Sequence, residues 1–518
     1  MILYHIITIY HLLNAIVHRA KFHPTETCIL ILPDFFIQFF SSGQCGELTD
    51  NLFFDAIYFF PYAQCNKAAE DEITSKVVEF IENDIPYDIS AFNQIYIWGI
   101  HFYFSLGLIE KGISFTGAEE AAGAFSKQEI CRDAIKTNAF HYNLAEKNGL
   151  LDYSNKYINK IICNFSVQRK EMLESEPRLI NFSVVDELLL LTSSMQQKIL
   201  MLFRAPSNIA FTGHQTLLLT QHFMNLDLLT YEEQQEIYLT FADYFLDNTN
   251  LIIKPHPSDY MDYNNIFPDC RMLNSSFPIE LLPVLCNCEE ITLATIYSTG
   301  IDNVKNYFKE TLSLNMTYRN IYKYTPAFWL SFKIIQSVSE HLSVIGMIGA
   351  DILLLRTLIW KKCNCEIDLP EIRATDRELP EWIIVDDLEK SFFDRSSFQE
   401  FLNETQKNNY IFINSRRDYC YYDYSNKDIC QNIVPVRYHN LNRDDEILIL
   451  CRDYRTLERI RNFSMNETLN YSNGKLKIDA MSETDIKIAI LKGTLQATEE
   501  RLQYYIQLVD DLRNGRKQ

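Results

Sequence analysis

The sequence predicts an α/β chain: two successive blocks of alternating strand and helix, then a third α/β region that ends in a long helix. Three observations carry that expectation. Short β-branched and aromatic runs alternate with helix-length amphipathic stretches from the first residues onward, the pattern of a parallel sheet with crossover helices. The alternation restarts near Thr216, after a mixed, mostly helical stretch from Leu151 to Arg204. At 518 residues the chain also exceeds what one hydrophobic core organises. The expected divisions are residues 1–205, 206–361 and 362–518.

In the first block the strands are Ile2 to Thr8, Cys28 to Leu32, Phe54 to Phe60, Gln94 to Trp98 and Ile113 to Thr116, with helices from about Leu12 and near Ile73 to Glu82. Met1 to Val17 is apolar enough to resemble a signal segment, but His5, Thr8, Tyr10, His11 and Asn14 interrupt it and no basic region precedes it, so it reads as strand then helix. Ligands of such sheets sit beyond the carboxyl ends of strands, which directs attention to Thr8-Ile9-Tyr10-His11, Trp98-Gly99 and the loop after Thr116. The second block runs strand Thr216 to Thr220, helix Tyr231 to Leu246, strand Leu251 to Lys254, helix near Pro278 to Leu285 and strand Ile291 to Thr295. A strand His341 to Ile345 and a helix Asp351 to Lys361 close that block or open a third, and Lys362 to Glu381 reads as a linker. Trp382 to Val385, Tyr410 to Asn414, Ile433 to Arg437 and Glu446 to Cys451 are the strands beyond it.

The final helix opens on Ser482-Glu483-Thr484-Asp485, a capping-box type of start. Ile488, Leu491, Leu495, Thr498, Leu502, Tyr505, Val509 and Leu512 then recur at alternating spacings of three and four. The seam fits a short coiled coil that makes a homo-oligomer, or a helix packed on its own domain.

Composition narrows the function. With 48 Lys and Arg against 68 Asp and Glu, the net charge of -20 argues against a nucleic-acid partner, which needs a basic stripe. An anionic ligand must therefore be held by a local exception such as a His, a Lys, a set of hydroxyls or a helix N-terminus. The 13 cysteines include Cys286/Cys288 and Cys363/Cys365 but no Cys-x-x-Cys, so reduced thiols and no metal site are expected. No run of about 18 apolar residues occurs. The chain is expected to be cytoplasmic, with any membrane association peripheral, at the cytoplasmic face of the inner membrane.

The sharpest local signal is Leu251-Ile252-Ile253-Lys254-Pro255-His256-Pro257-Ser258-Asp259, a buried-type strand leading into a turn with a cation and an imidazole. Proline fixes its own φ and restricts the residue before it, so His256 is presented in a stiff, extended setting at a strand end. A rigid structural turn is the competing reading. Phe277-Pro278-Ile279-Glu280 then puts a carboxylate in a first helical turn, where it either meets ribose hydroxyls or simply complements the helix dipole. After strand Ile291 to Thr295, Ser298-Thr299-Gly300 supplies two hydroxyls at a helix start, an anion site or an ordinary cap.

The order Lys254-Pro255-His256-Pro257, then Pro278-Ile279-Glu280, then Ser298-Thr299, resembles the donor half of bacterial CMP-sialic-acid transferases, especially glycosyltransferase family 52 and the related polysialyltransferases. The resemblance covers roughly residues 1–340. It implies the GT-B fold, two Rossmann-like domains facing a cleft, with residues 1–205 on the acceptor side and 206–361 on the CMP-donor side. It further implies His256, Ser298 and Thr299 at the donor phosphate, Lys254 and Pro257 in the donor site, Glu280 at the ribose, and Thr220-Gln221 lining the site. Gly117-Ala118-Glu119-Glu120-Ala121-Ala122-Gly123 looks like the family's acidic pair followed by glycine, although Ala121 stands where the family has a glycine. Tyr10 and His11 resemble part of the family's N-terminal signature and are candidates for the acceptor side.

The implied reaction is inverting transfer of sialic acid from CMP-sialic acid to a hydroxyl of a cell-surface glycan, whether lipooligosaccharide, capsule or exopolysaccharide. Glu119 is the expected base, with Glu120 its alternative, and His256, Ser298 and Thr299 stabilise the leaving phosphate. No Asp-x-Asp metal anchor occurs, so metal-independent turnover is expected. Kdo or glycerophosphate transfer from a CMP- or CDP-linked donor is the nearest alternative. A non-catalytic scaffold of a polysaccharide assembly complex is the other, using residues 362–518. A chain ending near Lys475 should lose self-association if the terminal seam is a coiled coil; an unchanged mass by light scattering would contradict that reading.

Overall fold

Four consecutive residues of β1 (Ile2–His5) are buried, as expected of a strand covered on both faces of a parallel sheet. The computed structural model describes residues 1–38, 42–51, 53–128, 132, 139–206, 209, 215–226, 228–246, 250–273, 277–314, 327–339, 342–363, 367–373, 375–376, 378–386, 388–413, 432–440 and 443–462. β2 (Cys28–Pro33), β3 (Ala56–Phe60), β4 (Gln94–Trp98), β5 (Phe115–Ala118), β6 (Ile158–Cys163) and β7 (Leu179–Asn181) join β1 in the order β3-β2-β1-β4-β5-β6-β7. Every pairing is parallel. That order places the topological switch between β1 and β4, where a ligand site is expected at the carboxyl ends.

Local chemistry accounts for the helices that cover this sheet. The Thr8 side chain accepts the His11 N–H and starts helix Ile9–Phe22. Helix Glu70–Asn83 carries Glu70, Asp71 and Glu72 in its first turn, which complements its dipole, and buries Ile73, Val77, Phe80 and Ile81 on one stripe. These residues enter one core with Leu3, Ile29, Ile31, Ile97, Phe104 and Phe115.

A second sheet follows: β8 (Gln215–Leu219), β9 (Leu251–Lys254), β10 (Arg271–Met272), β11 (Ile291–Thr295) and β12 (Glu310–Ser313), in the order β10-β9-β8-β11-β12. Its strand order repeats the 3-2-1-4-5 pattern of the first sheet, so both Rossmann-like sheets expected from the sequence are present. The third sheet consists of β13 (Ile345–Ile348), β14 (Trp382–Asp386), β15 (Asn409–Ile413), β16 (Ile433–Asn440) and β17 (Arg443–Leu450). β13, β14 and β15 pair in parallel, and β17 runs antiparallel to both β15 and β16. Helix Arg395–Glu404, closed by reciprocal bonds between Asp394 and Ser397, packs Phe398, Phe401 and Leu402 against Ile383, Val385, Tyr410 and Phe412.

The chain folds into two compact units. One comprises Met1–Leu217, Leu273–Leu293 and Ser298–Leu312, and the other Leu218–Met272, Ala294–Tyr297 and the residues from Ser313 onward. Glu280 and the Ser298-Thr299 pair thus group with the first unit, whereas the sequence had placed them in a separate donor block. Residues 151–204, read as mostly helical, contribute β6 and β7 to the first sheet; exposed Asn159 and Lys160 break the apolar run of β6 and hide it. β13 pairs with β14, so the strand left between two blocks opens the third sheet and the third region begins before residue 362. The terminal helix with its Ile488 to Leu512 seam lies outside the described residues. Among the described residues no helix is long and apolar enough to cross a membrane, and Cys286 and Cys288 are free thiols.

Gly99, which follows β4, has φ +71°, and a Cβ there would stand 2.5 Å from Ile7 Cγ1 beyond the end of β1. Gly99→Ala should therefore cost about 2–5 kcal/mol, left-handed backbone and overpacking together, read as a lower urea midpoint of the full chain. An unchanged midpoint would mean that the two strand ends can move apart.

Candidate active site

Within the first unit, polar residues gather at the carboxyl ends of β1, β4, β5 and β6, beside the switch between β1 and β4. Glu119 directly follows β5, and its N–H donates to the Ile162 carbonyl at 2.9 Å, continuing the ladder with β6. One carboxyl oxygen accepts the Asn164 N–H at 2.9 Å and the other accepts Gln168 Nε2 at 2.8 Å. Burial pushes the Glu119 carboxyl up to about 7, against the pull of those hydrogen bonds toward ionisation. Left-handed backbone in the turn that follows falls on Gly123, at φ +75°, and Ala121 adopts no positive φ. The missing glycine at Ala121 therefore leaves the acidic turn unstrained.

Glu120 sits in a different environment. Its carboxyl oxygens lie 3.7 Å from His11 Nε2 and 3.6 Å from His101 Nδ1. His11 Nε2 is also 2.9 Å from the Glu120 carbonyl, to which it donates. His141 Nε2 donates in turn to the His101 carbonyl at 2.8 Å. Burial raises Glu120 to about 8, lowers His11 to about 4 and holds His101 well below its usual value. All three groups are thus favoured neutral near pH 7: a carboxylic acid between two imidazoles. His11, a candidate for the acceptor side, is fully buried and orients the acidic turn from beneath.

A hydrogen-bonded chain runs from Glu119 to Tyr10 and Glu280. Asn164, which holds Glu119 through its backbone, donates from Nδ2 to Asn303 Oδ1 at 3.4 Å. Asn303 Nδ2 donates to the Tyr10 hydroxyl at 3.1 Å and to Glu280 Oε1 at 3.0 Å. Burial raises the Tyr10 hydroxyl, with Glu119 and Glu280 adding to the rise. Gly300 lets this region close up, since a Cβ there would lie 3.0 Å from Ile279 Cγ2, 3.6 Å from Ser298 Oγ and 3.9 Å from Glu280 Oε1. The helix after Ser298-Thr299 is only Ile301–Val304, and neither hydroxyl caps it. One turn has too little dipole to make an anion site, so the hydroxyls remain candidates and the helix N-terminus does not.

The second unit holds the other set of predicted residues, at the ends of β8 and β9. The Thr220 N–H donates to the Lys254 carbonyl at 3.2 Å, and Thr220 Oγ1 accepts the His256 N–H at 3.2 Å. That hydroxyl donates in turn to Asp259 Oδ2 at 2.5 Å. Asp259 also accepts from Tyr263 at 2.7 Å and from Gln234 Nε2 at 3.0 Å, which pins the turn bracketed by Pro255 and Pro257. Ser258 N–H donates to His256 Nδ1 at 3.1 Å, so a neutral His256 carries its proton on Nε2. The Gln221 N–H donates to the Tyr238 hydroxyl at 2.6 Å, and the Gln221 side-chain oxygen lies 2.9 Å from His222 Nδ1. The His222 and His256 rings stack at 4.1 Å and 21°. Burial, then His222, then Lys254 bring His256 down to about 3.

Each set thus contains partners that the sequence reading passed over: Asn164, Gln168, His101, His141 and Asn303 in the first unit, and His222 and Asp259 in the second. His222 had a signal, since it directly follows Thr220-Gln221 at a strand end. Asn164 had the same signal at the end of β6, hidden because that strand was read as part of a helical stretch. Among the described residues, no group of three or more His, Cys, Asp or Glu is placed to hold a metal ion.

The raised carboxyls give a signed pH dependence. A folded value of about 8 for Glu120, against an ordinary 4.5, means the native state binds the proton more tightly than the unfolded chain. Its stabilisation is complete below about 4.5 and disappears as pH rises through about 8. Glu120→Gln, which keeps the neutral shape, should match the parent in melting temperature at pH 5 and exceed it at pH 8.5. Equal melting curves at both pH values would show that Glu120 is ionised in the fold.

Residues 148–311 match the model of the family described as Alpha-2,8-polysialyltransferase (POLYST). An "Uncharacterized protein" of Haemophilus influenzae (strain ATCC 51907 / DSM 11121 / KW20 / Rd) is 33% identical over 88 residues, 17% of this chain; the match spans only 28% of that curated relative's length. Among solved structures, the Methanocaldococcus jannaschii UDP-GlcNAc 2-epimerase in complex with UDP-GlcNAc and UDP aligns with TM-score 0.37 and 13% identity, over 62% of this chain and 91% of that one. The glycotransferase of kitacinnamycin aligns with TM-score 0.34 and 10% identity, over 58% and 77%. The segment 148–311, which includes Asn164, Gln168, Thr220, His256, Glu280 and Ser298, is thus the part of the chain that is similar to the polysialyltransferase family.

Proposed function

We propose that the protein transfers a sialic acid from CMP-sialic acid to a hydroxyl of a cell-surface glycan, with inversion and without a divalent ion. The observation that carries this reading is the content of the family-matched segment. Residues 148–311 supply both side chains and backbone groups that hold Glu119, the whole Lys254–Asp259 turn, Glu280 and the Ser298-Thr299 pair.

Glu119 is the base. Its buried carboxyl, near 7, takes up the proton of an attacking hydroxyl at neutral pH far more readily than an exposed glutamate. Glu120, favoured as the neutral acid, keeps a second negative charge away from Glu119. As the acceptor oxygen bonds to the anomeric carbon, the bond from that carbon to the phosphate oxygen breaks and CMP departs. The Nε2–H of His256 hydrogen-bonds the leaving phosphate, with Lys254, Ser298 and Thr299 as further partners. Thr220 holds the turn, Gln221 lines the site beside it, and Glu280, oriented by Asn303, is assigned to the ribose.

Turnover assays with CMP-sialic acid, CMP-Kdo and CDP-glycerol test the donor, and turnover of the first is expected to persist in EDTA. Glu119→Gln and His256→Ala should each lower kcat/KM by about 10²–10⁴ with an unchanged fold by circular dichroism. In the parent, kcat/KM should fall as pH drops through about 7, where Glu119 is protonated. Turnover of only CMP-Kdo or CDP-glycerol would reassign the donor, and turnover of none would favour a scaffold.

A further inference from the structure

We propose that His222 is a second phosphate-binding imidazole of the donor turn, and that the His222–His256 stack takes up protons when the donor's phosphate binds. The inference rests on the donor-site reading above and adds to it a residue and a coupling. His222 lies three residues beyond the end of β8, and its ring covers that of His256 at 4.1 Å in a near-parallel stack. The two rings are fixed in complementary tautomers. Gln221 Oε1, an acceptor, is 2.9 Å from His222 Nδ1, which therefore carries hydrogen and leaves Nε2 with a lone pair. His256 Nδ1 accepts from Ser258, which leaves hydrogen on Nε2.

Two parallel imidazolium rings beside a buried lysine repel one another unless a negative charge joins them. Lys254 on β9 acts directly on His256, and the titratable groups around the turn are Asp259, bonded to Thr220, Tyr238 on helix Tyr231–Phe245, bonded to Gln221, and Tyr263 on the one-turn helix Tyr263–Ile266, bonded to Asp259. Asp259 is the carboxylate among them. It is engaged by Thr220, Tyr263, Gln234 and the Met261 N–H, and burial raises it to about 6. The stack accordingly rests neutral: burial brings His222 down to about 4 and, with help from His222 and Lys254, His256 to about 3. A phosphate supplies the missing negative charge, so both rings gain affinity for protons as it binds. By linkage, donor binding then strengthens as pH falls.

The test uses the full chain and a non-transferable CMP-sialic acid analogue fluorinated beside the anomeric carbon, whose phosphodiester does not itself titrate near neutrality. Titration calorimetry at pH 7 in buffers of different ionisation heat counts protons taken up. His222→Phe, which keeps a stacked ring without nitrogens, should reduce the uptake by about one proton and flatten the pH dependence of Kd by about tenfold per pH unit. KM should rise more than kcat falls, and His222→Asn should not restore the proton count. Circular dichroism and melting of each variant confirm that it is folded. Binding with no proton uptake, or with the same uptake in His222→Phe as in the parent, overturns the inference while leaving the donor reading intact. No binding of the analogue by the parent overturns both.

Discussion

Burial of ionisable groups without opposite charges beside them is the constraint on which the rest of this structure depends. Glu119 and Glu120 lie at the carboxyl end of β5 and have no lysine or arginine in contact among the described residues. Their environment instead offers an amide N–H, a carboxamide and two imidazoles. Desolvation therefore dominates, and the acids are held where they exchange protons near neutral pH. That setting requires an apolar sheet beneath it, which explains why β1, β2 and β4 are aliphatic and aromatic with little alternation. The close approach of Gly99 to Ile7 brings the ends of β1 and β4 together around the same point.

The two acids are adjacent in sequence and chemically distinct. Glu119 is hydrogen-bonded on both oxygens by groups that favour the carboxylate, so its value stays near 7. Glu120 receives no such bond within normal reach and sits higher, with His11 tied to its carbonyl and not to its carboxyl. Adjacent groups with separated values can take separate roles, one accepting a proton while the other remains neutral.

Much of the fold was legible in the sequence because strand composition and turn chemistry are local. The Lys254–Asp259 turn and β9, which leads into it, were legible in nine consecutive residues, and β4 and β11 were placed at their observed bounds, whereas the two-residue β10 beyond the turn was not. Legibility ended where structure depends on distant residues. β6 escaped because Asn159 and Lys160 interrupt its apolar pattern, and with it went Asn164, whose role exists only once β6 lies beside β5. Asn303, 139 residues from Asn164 and 293 from Tyr10, carries no local mark of its contacts. His101 and His141 carry no local mark of their contacts, and only the fold brings His101 against Glu120 and His141 against His101. The expected helix after Ser298 failed for a simpler reason: Ser298-Thr299-Gly300 has the composition of a cap, but only one turn follows it.

A chain with a net charge of -20 repels an anionic donor at long range. On the proposed reading the difficulty disappears, because recognition does not depend on a standing positive field. The turn after β9 offers neutral imidazoles, a threonine hydroxyl engaged in fixing the backbone and a single buried lysine. Beyond the charge of Lys254, positive charge develops on the imidazoles only when a phosphate arrives to stabilise it. The acidic pair in the first unit follows a related logic, since Glu119, as the proposed base, gives up its negative charge when it takes the acceptor's proton. Desolvation thus keeps the imidazoles neutral at rest and holds the Glu119 carboxyl near neutral pH, so that each changes its charge in response to the chemistry proposed for it. Such a design tolerates an acidic surface, because exposed carboxylates are screened by salt while the buried groups respond to their immediate partners.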